Sequence, residues 1–247
     1  MAKRLPQPEE ITVVIPSRAR PQNVPIMEKL FPRAIWCVSE SEADTYATDR
    51  KLIHPDSLPT LTAKRHWINE KVSGIVFQVD DDITALWSNV GELGHRITNP
   101  NTIGGIIRNA AHLAKGFGAP IFGFNQAWDV RKYDPLDPFS FSGWVGTAVG
   151  FIGREIKHDV TLKAQSDVDI CLRAMLKKRI VFIDKRFSFM CKRFTNAGGL
   201  AGVRTAQEYA EDIEKVRQRW GPWITFRKAK GTMRLNTAVT RRQRLEI

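Results

Sequence analysis

The stretch GIVFQVDDDIT, residues 74–84, contains the pattern that decides the fold. Five of its first six residues are glycine or apolar, which predicts a buried strand. The strand ends abruptly at three adjacent aspartates, Asp80, Asp81 and Asp82. Neighbouring carboxylates repel each other and are costly beside an apolar strand, so the triplet needs a physical explanation.

The segments around this strand predict an alternation of strands and helices. Further strands are predicted in ITVVIP (11–16), AIWCVS (34–39), KLIHPD (51–56), PIFGFN (120–125), WVGTAVGFIG (144–153) and IVFID (180–184). Helices are predicted at 61–72, capped by Thr60 or Thr62, at 99–118, at 166–178 and at 205–221, where Thr205 and Glu208 form a capping box. The acidic stretch 40–51 is also helix-like. This alternation predicts a single α/β domain with a parallel, layered sheet.

Charge is unevenly distributed along the 247 residues. The formal net charge is +12, and half of it comes from residues 226–247, where seven basic residues face one acid, Glu246. We therefore divide the chain into a domain at 1–225 and a basic tail at 226–247. Such a tail is typical of proteins that bind nucleic acid or an anionic membrane surface. The alternative is that the charge only keeps the protein soluble.

Cysteine content and hydropathy indicate the cellular compartment. The three cysteines Cys37, Cys171 and Cys191 form no CxxC motif, and an odd, sparse count argues against a disulfide framework. Cys37 and Cys171 lie in apolar patterns and are predicted in the core. No apolar run approaches the length of a membrane span, and the N-terminus does not resemble a signal peptide. We expect a soluble, cytoplasmic protein.

Two explanations of the aspartate triplet are open. In a parallel α/β sheet, ligands bind at the carboxyl ends of the strands, where carboxylates become tolerable if Mg²⁺ or Mn²⁺ neutralises them. Alternatively, Asp82 caps a helix predicted in ITALWSN, residues 83–89, and the other two aspartates lie in solvent.

Three other features favour a ligand site. Arg18 and Arg20 follow the first strand, where guanidinium groups could hold phosphate oxygens. Lys64 and Arg65 lie near a helix start, where cations oppose the helix dipole unless an anion docks there. The helix start at SDVD, residues 166–169, brings an aspartate to a position suited to a catalytic base, although acids there also stabilise the helix.

In order and spacing, these motifs resemble the GT-A class of nucleotide-sugar glycosyltransferases over residues 11–220. The pattern IPSRARP, QVDDDI, SDVDICLRAM and NAGG, followed by a helix that ends in WG, is similar to the TET-associated glycosyltransferases. That largely phage-borne group is linked to sugar addition on hydroxymethylated pyrimidines in DNA. The resemblance implies a GT-A-like, Rossmann-like sheet with helices on both faces, a UDP-sugar as donor, and Mn²⁺ or Mg²⁺ as cofactor. A phage-encoded enzyme would work in the host cytoplasm.

The resemblance also implies roles for individual residues. Asp80 would contact the ribose and the metal, Asp82 would ligate the metal, and Asp167 falls on the position of the catalytic base if the enzyme inverts. A retaining enzyme would need no such base, and the sequence does not decide between the two. A histidine ligand near the C-terminus, common in the class, is missing, because the last histidine is His158. The implied donor-binding residues are Pro16, Ser17, Arg18, Arg20, Lys64, Arg65, Asp80 and Asp81.

The acceptor is expected to be 5-hydroxymethylcytosine in DNA. Aromatic side chains provide flat faces for stacking on bases or sugars, and basic side chains hold phosphates. The candidate acceptor residues are Trp128, Trp144, Lys192, Arg193, Arg227, Lys228, Lys230, Arg241 and Arg242. Two alternatives remain: a glycosyltransferase for a cell-surface glycan or protein, and a non-catalytic nucleic-acid-binding module on a transferase-like scaffold.

Overall fold

A computed structural model of the chain describes residues 10–58, 60–191, 205–229 and 232–237. The strands are β1 Ile11–Pro16, β2 Ile35–Ser39, β3 Lys51–His54, β4 Ile75–Val79, β5 Ile83–Ser88, β6 His95–Ile97, β7 Ile121–Phe124, β8 Phe139–Ser140, β9 Ala148–Ile152, β10 Phe182–Asp184, β11 Phe187–Cys191, β12 Ile224–Ala229 and β13 Thr232–Thr237. The α-helices are α1 Val24–Leu30, α2 Leu61–Lys71, α3 Pro100–Gly116, α4 Ser166–Lys178 and α5 Ala206–Trp220.

An eight-stranded sheet in the order β3-β2-β1-β4-β9-β7-β10-β8 forms the centre of the molecule. Strands β3, β2, β1 and β4 pair in parallel, and so do β7 and β10. Strand β9 runs antiparallel between β4 and β7, and β8 is antiparallel to β10. The predicted parallel sheet is therefore wrong in part: the sheet is mixed. Because β4 and β7 both oppose β9, six strands still end at one common edge.

Helices cover both faces of this sheet, which confirms the predicted α/β class. On one face α1, α3 and the small sheet β11-β5-β6 pack on side chains such as Phe77 and Phe122. On the other face α4 and α5 pack on Val149 and Phe151, while α2 packs through Ile68 on Val14 and Val76. Adjacent residues of β4 therefore point to opposite cores, as the period of a strand requires. Cys37 and Cys171 are fully buried, as predicted.

Local signals in the sequence account for several element boundaries. The Thr60 hydroxyl accepts a hydrogen bond from the Ala63 N–H at the start of α2, and Thr205 and Glu208 form the predicted capping box of α5. The stretch after the aspartates, a helix in the alternative explanation of the triplet, is instead strand β5, which pairs with β11 and β6. Asp82 consequently does not cap a helix. The acidic stretch forms only a short 3-10 helix, Glu40–Thr45, before β3 begins.

Strands β12 and β13 pair antiparallel as a separate two-stranded sheet. Ile224, at the beginning of β12, is buried in the core cluster of α4 and α5. The two strands lie largely within the basic tail defined from the sequence. Among the described residues, no helix is long and apolar enough to cross a membrane.

Candidate donor and catalytic site

A pocket of about 480 Å³ opens at the edge where β1, β2, β3 and β4 end. Eight predicted site residues line it together: Pro16, Ser17, Arg18, Arg20, Lys64, Asp80, Asp81 and Asp82. Its far wall consists of residues that the sequence analysis missed: Ser39, Ser41, Glu42, His54, Asp56, Leu58, Thr60 and Leu61. Most of these residues end or follow β2 and β3. Their position just after predicted parallel strands is the sequence signal that could have identified them, because parallel strands end at a common edge.

Arginines already neutralise the aspartate triplet in this structure. Arg20 Nη1 lies 2.8 Å from Asp81 Oδ1 and 3.5 Å from Asp82 Oδ2, and Arg65 Nη2 lies 2.5 Å from Asp80 Oδ1. A divalent cation is therefore not needed to make three adjacent carboxylates tolerable, contrary to the premise drawn from the sequence. Within the described ranges, no group of three or more His, Cys, Asp and Glu side chains is arranged to hold a metal ion.

The three aspartates differ in exposure, and that difference separates their roles. Asp81 is only 6% exposed and accepts hydrogen bonds from the Ser17 hydroxyl and from Arg20. It therefore clamps the loop after β1. The side chains of Asp80 and Asp82 are 34% and 17% exposed and line the pocket. Burial of the carboxyl, opposed by Arg65 and reinforced by Asp82 and Asp81, raises the pKa of Asp80 to about 6.

The loop after β1 is held in shape by contacts from three sides. The Tyr46 hydroxyl bonds to the Ser17 hydroxyl at 2.8 Å and accepts from the Arg20 N–H at 3.2 Å. Glu42 accepts from the N–H of Ala19, a residue with φ of 53°. A non-glycine residue in the left-handed region is strained, so these contacts hold a defined loop. Arg18 is left at its exposed tip, facing the pocket.

Lys64 and Arg65 face the protein rather than solvent, although they lie in the first turns of α2. The Lys64 ammonium donates to the Ser17 carbonyl, and burial lowers the pKa of Lys64 below its usual value. Arg65 is 5% exposed and bonds both Asp80 and, at 3.4 Å, the Gly146 carbonyl. Both cations thus have protein partners without a docked anion, although Arg65 Nε is buried without a hydrogen-bond partner among the described residues. Lys64 lines the pocket, whereas Arg65 lies behind Asp80.

Asp167 lies on the other side of Gly146, at the second residue of α4. A Cβ atom built on Gly146 would lie 2.8 Å from Asp167 Oδ2, which places the carboxylate directly against this glycine. The segment that contains Gly146 is tied to the pocket, because Asp80 N–H donates to the Thr147 carbonyl at 3.0 Å. Asp80, Arg65, Gly146 and Asp167 therefore form one continuous group. Asp169, by contrast, is fully buried and bonds Arg173, Arg219 and Trp220, so its role is structural.

The predicted acceptor residues are only partly described. Trp144 is half-buried, packs against the core cluster of α4 and α5, and has its ring 3.1 Å from a Cβ built on Gly146. Trp128 is also half-buried, in the loop after β7. Arg227 and Lys228 lie in β12. Four predicted phosphate contacts and one more basic residue lie outside the described residues: Lys192, Arg193, Lys230, Arg241 and Arg242.

Comparisons with known proteins identify similar structures only. No protein-family model matches the chain, and no curated protein matches it. Residues 1–349 of TarS from S. aureus in complex with UDP are 11% identical, with a TM-score of 0.44 over 73% of this chain and 59% of that one. The same TarS fragment in another structure is 9% identical, with a TM-score of 0.44 over 94% and 97% of the two chains. CMP:2-keto-3-deoxy-manno-octonic acid synthetase with CTP is 13% identical, with a TM-score of 0.39 over 86% and 99%.

Proposed function

We propose that the chain is a metal-dependent glycosyltransferase that moves a sugar from a nucleotide-diphosphate donor, a UDP-sugar, to 5-hydroxymethylcytosine in DNA. The observation that carries the transferase part is one continuous group of residues at one sheet edge. A pocket lined by Arg18, Lys64 and the aspartate triplet adjoins, through Arg65 and Gly146, the carboxylate of Asp167. This arrangement suits a donor on one side and a base for the acceptor on the other.

The proposed donor position follows from the charges around the pocket. Arg18 lies at the exposed tip of the loop after β1 and would contact the diphosphate, with Lys64 nearby. Asp80, at the end of β4, would accept hydrogen bonds from the ribose hydroxyls. The wall formed by residues after β3 and by the start of α2 offers polar groups such as Asp56 and apolar groups such as Leu61 to the nucleobase of the donor. Binding pockets commonly combine a few convergent polar groups with apolar walls in this way.

The chemistry of the pocket fits a divalent cation held by few protein ligands. Five carboxylates line the pocket against three lining cations and Arg65 behind Asp80, so an anionic diphosphate would still meet a small excess of negative charge. Mg²⁺ is usually held by one or two carboxylates together with substrate phosphates and water. Asp80 and Asp82 would supply those carboxylates. When bound, the ion would neutralise the charge that develops on the departing diphosphate.

Asp167 would act as the general base in an inverting reaction. Its carboxylate would take the proton of the acceptor hydroxymethyl group as the oxygen attacks the anomeric carbon. The bond between that carbon and the diphosphate oxygen breaks, and UDP leaves with the electron pair. Such proton transfer typically contributes about 10²- to 10⁴-fold to the rate.

The DNA acceptor is supported by the charge distribution and by the chemistry of the target. The net charge of +12 and the basic tail favour a polyanion. A hydroxymethyl group in duplex DNA would have to reach a recessed anomeric carbon, either through a widely open cleft or by flipping of the base out of the stack. For a flipped base, the ring of Trp144 would provide the stacking face beside Asp167.

Nucleoside mass spectrometry tests this proposal. The purified protein is incubated with a panel of UDP-sugars, Mn²⁺ and matched DNA that contains either cytosine or 5-hydroxymethylcytosine. We expect a hexose mass increase only on the modified base. The Asp82→Asn variant should show no increase, whereas Asp49→Asn, which changes an exposed aspartate outside the pocket, should behave like the wild type. Transfer to a glycan or peptide but not to DNA would refute the acceptor alone.

A thermal-shift titration separates the donor from the acceptor. UDP-sugars with Mn²⁺ should raise the Tm of the wild type by mass action, and the shift should shrink without the metal. The absence of a shift with every nucleotide, with or without Mn²⁺, would refute the transferase and favour a non-catalytic binding module.

A further inference from the structure

Helix α5 holds the short turn that leads into α4. The Asp212 carboxylate, 1% exposed, accepts hydrogen bonds through Oδ2 from the backbone N–H groups of Lys163, at 2.6 Å, and Ala164, at 2.5 Å. These two residues precede Gln165 and the first residue of α4. A buried carboxylate that accepts two N–H bonds forms strong, charge-assisted contacts. Asp212 therefore fixes the backbone immediately before Asp167.

Two more contacts from the same part of α5 reach this turn. Gln165 Nε2 donates to the Tyr209 hydroxyl at 2.9 Å, and Lys163 Nζ forms an ion pair with Glu208 at 2.5 Å. Gln165 adopts the left-handed conformation, with φ of 57°, and its carbonyl accepts the Asp169 N–H that closes the first turn of α4. A strained residue persists only where its surroundings determine its conformation. The direction of α4 at Asp167 thus depends on contacts from α5.

A separate anchor holds α5 to the domain. At the other end of the helix, Arg219 Nη1 and Trp220 Nε1 both donate to Asp169 Oδ1 at 2.9 Å. Trp220 is 7% exposed and belongs to the core cluster shared with α4. Removing the Asp212 carboxylate would therefore loosen the turn, which keeps, of its described contacts with α5, only those with Tyr209 and Glu208, while α5 stays docked.

We propose that Asp212 is a positioning residue for Asp167, so that α5 sets the place of the base from outside the pocket. The catalytic consequence rests on the proposed function. The Asp167 carboxylate already lies against Gly146, where a displacement of a few tenths of an ångström changes its contacts. Misplacement of a reacting group by about 1 Å can cost 10²-fold in rate.

A double-mutant cycle on sugar-nucleotide turnover tests the positioning role. Asp212→Ala should lower kcat by about 10- to 100-fold and leave the KM for the donor within about twofold, because the donor pocket is untouched. In the Asp167→Asn background, Asp212→Ala should cause no further loss. Asp212→Asn keeps an oxygen for the two N–H groups and should restore most of the rate. Glu211→Ala, at the exposed neighbouring position, is the matched control.

The results separate this inference from the proposed function. Two results would overturn the positioning role and leave the transferase intact. In one, Asp212→Ala turns over at the wild-type rate. In the other, Asp212→Ala lowers kcat by the same factor in the wild type and in the Asp167→Asn background. No wild-type turnover would instead refute the proposed function, and a crystal structure of Asp212→Ala with Asp167 unmoved would overturn the positioning role independently of activity. If Asp212→Ala does not fold, Tyr209→Phe removes the hydroxyl that Gln165 contacts and should give a smaller loss of the same kind; an unchanged kcat there would also count against the inference.

Discussion

Replacing Gly146 with alanine should separate catalysis from stability. The added Cβ would lie 2.8 Å from Asp167 Oδ2 and 3.1 Å from the Trp144 ring. Gly146 is not among the described glycines with positive φ, so alanine fits its backbone. The ordinary contact distance of about 3.4 Å or more then requires the carboxylate to move by roughly half an ångström. Such a rotation of a short side chain costs little folding energy, but it moves the proposed base.

The expected size of the effect follows from that displacement. A misplacement of about 1 Å can cost 10²-fold, so half of that predicts a loss in kcat of about 10-fold. In the activation barrier this corresponds to roughly 1.4 kcal/mol. The free energy of unfolding should change by less than about 1 kcal/mol, because the entropic gain of a glycine-to-alanine change offsets part of the crowding.

The assay is the rate of UDP release at saturating donor, with Tm measured on the same preparation. Gly116→Ala is the matched control, because a Cβ at this position in α3 meets nothing within 4 Å. We expect the control to keep wild-type kcat and the Gly146→Ala variant to lose it at nearly unchanged Tm. A Gly146→Ala enzyme with wild-type kcat would refute the assignment of Asp167 as the base.

Three further predictions concern the metal, the pH dependence of stability and the tail. Asp82→Asn should abolish transfer and leave the circular dichroism spectrum and Tm nearly unchanged; full turnover would exclude its role as a metal ligand. Burial lowers the pKa of His158 from 6.5 to about 3, so the unfolded chain binds a proton that the folded chain excludes, and the stabilisation present above about pH 6.5 is lost as the pH falls towards 3. Between pH 7 and 5 this amounts to about 2 kcal/mol in urea denaturation, and His158→Leu should lose correspondingly less; parallel losses would contradict the assignment. Deleting residues 226–247 should weaken DNA binding and flatten its salt dependence without stopping sugar-nucleotide hydrolysis, whereas an unchanged salt slope would exclude the tail from phosphate contacts.

Local patterns predicted much of the fold, because capping and periodicity are properties of neighbouring residues. The start of α5 at Thr205 and the burial of β4 follow directly from such patterns. A helix in place of β5 stayed open as one explanation of the triplet because a short apolar run carries no decisive period, and the strand form depends on pairing with β11. The antiparallel direction of β9 likewise depends on contacts distant in sequence.

The meeting of eight predicted residues in one pocket was predictable from the sequence, but their charge pairing and the other half of the pocket lining were not. The ends of β1 and β4 were expected at one edge, and the structure places Arg18 and the aspartate triplet in one pocket there. The pairing of Arg65 with Asp80, and of Arg20 with Asp81, depends on where α2 and the loop after β1 lie against β4. Sequence spacing does not contain that information. Asp212 was missed for the same reason, since its partners lie 48 and 49 residues away.

The central claim is that the pocket at the end of β4 holds the diphosphate of a nucleotide-sugar together with a divalent cation. A crystal structure with UDP and Mn²⁺, with anomalous scattering recorded for manganese, tests this claim most directly. We predict an anomalous peak at coordination distance from Asp82 and a diphosphate beside Arg18 in the same pocket. A nucleotide bound elsewhere, or a pocket without nucleotide and metal at millimolar concentrations of both, would contradict it.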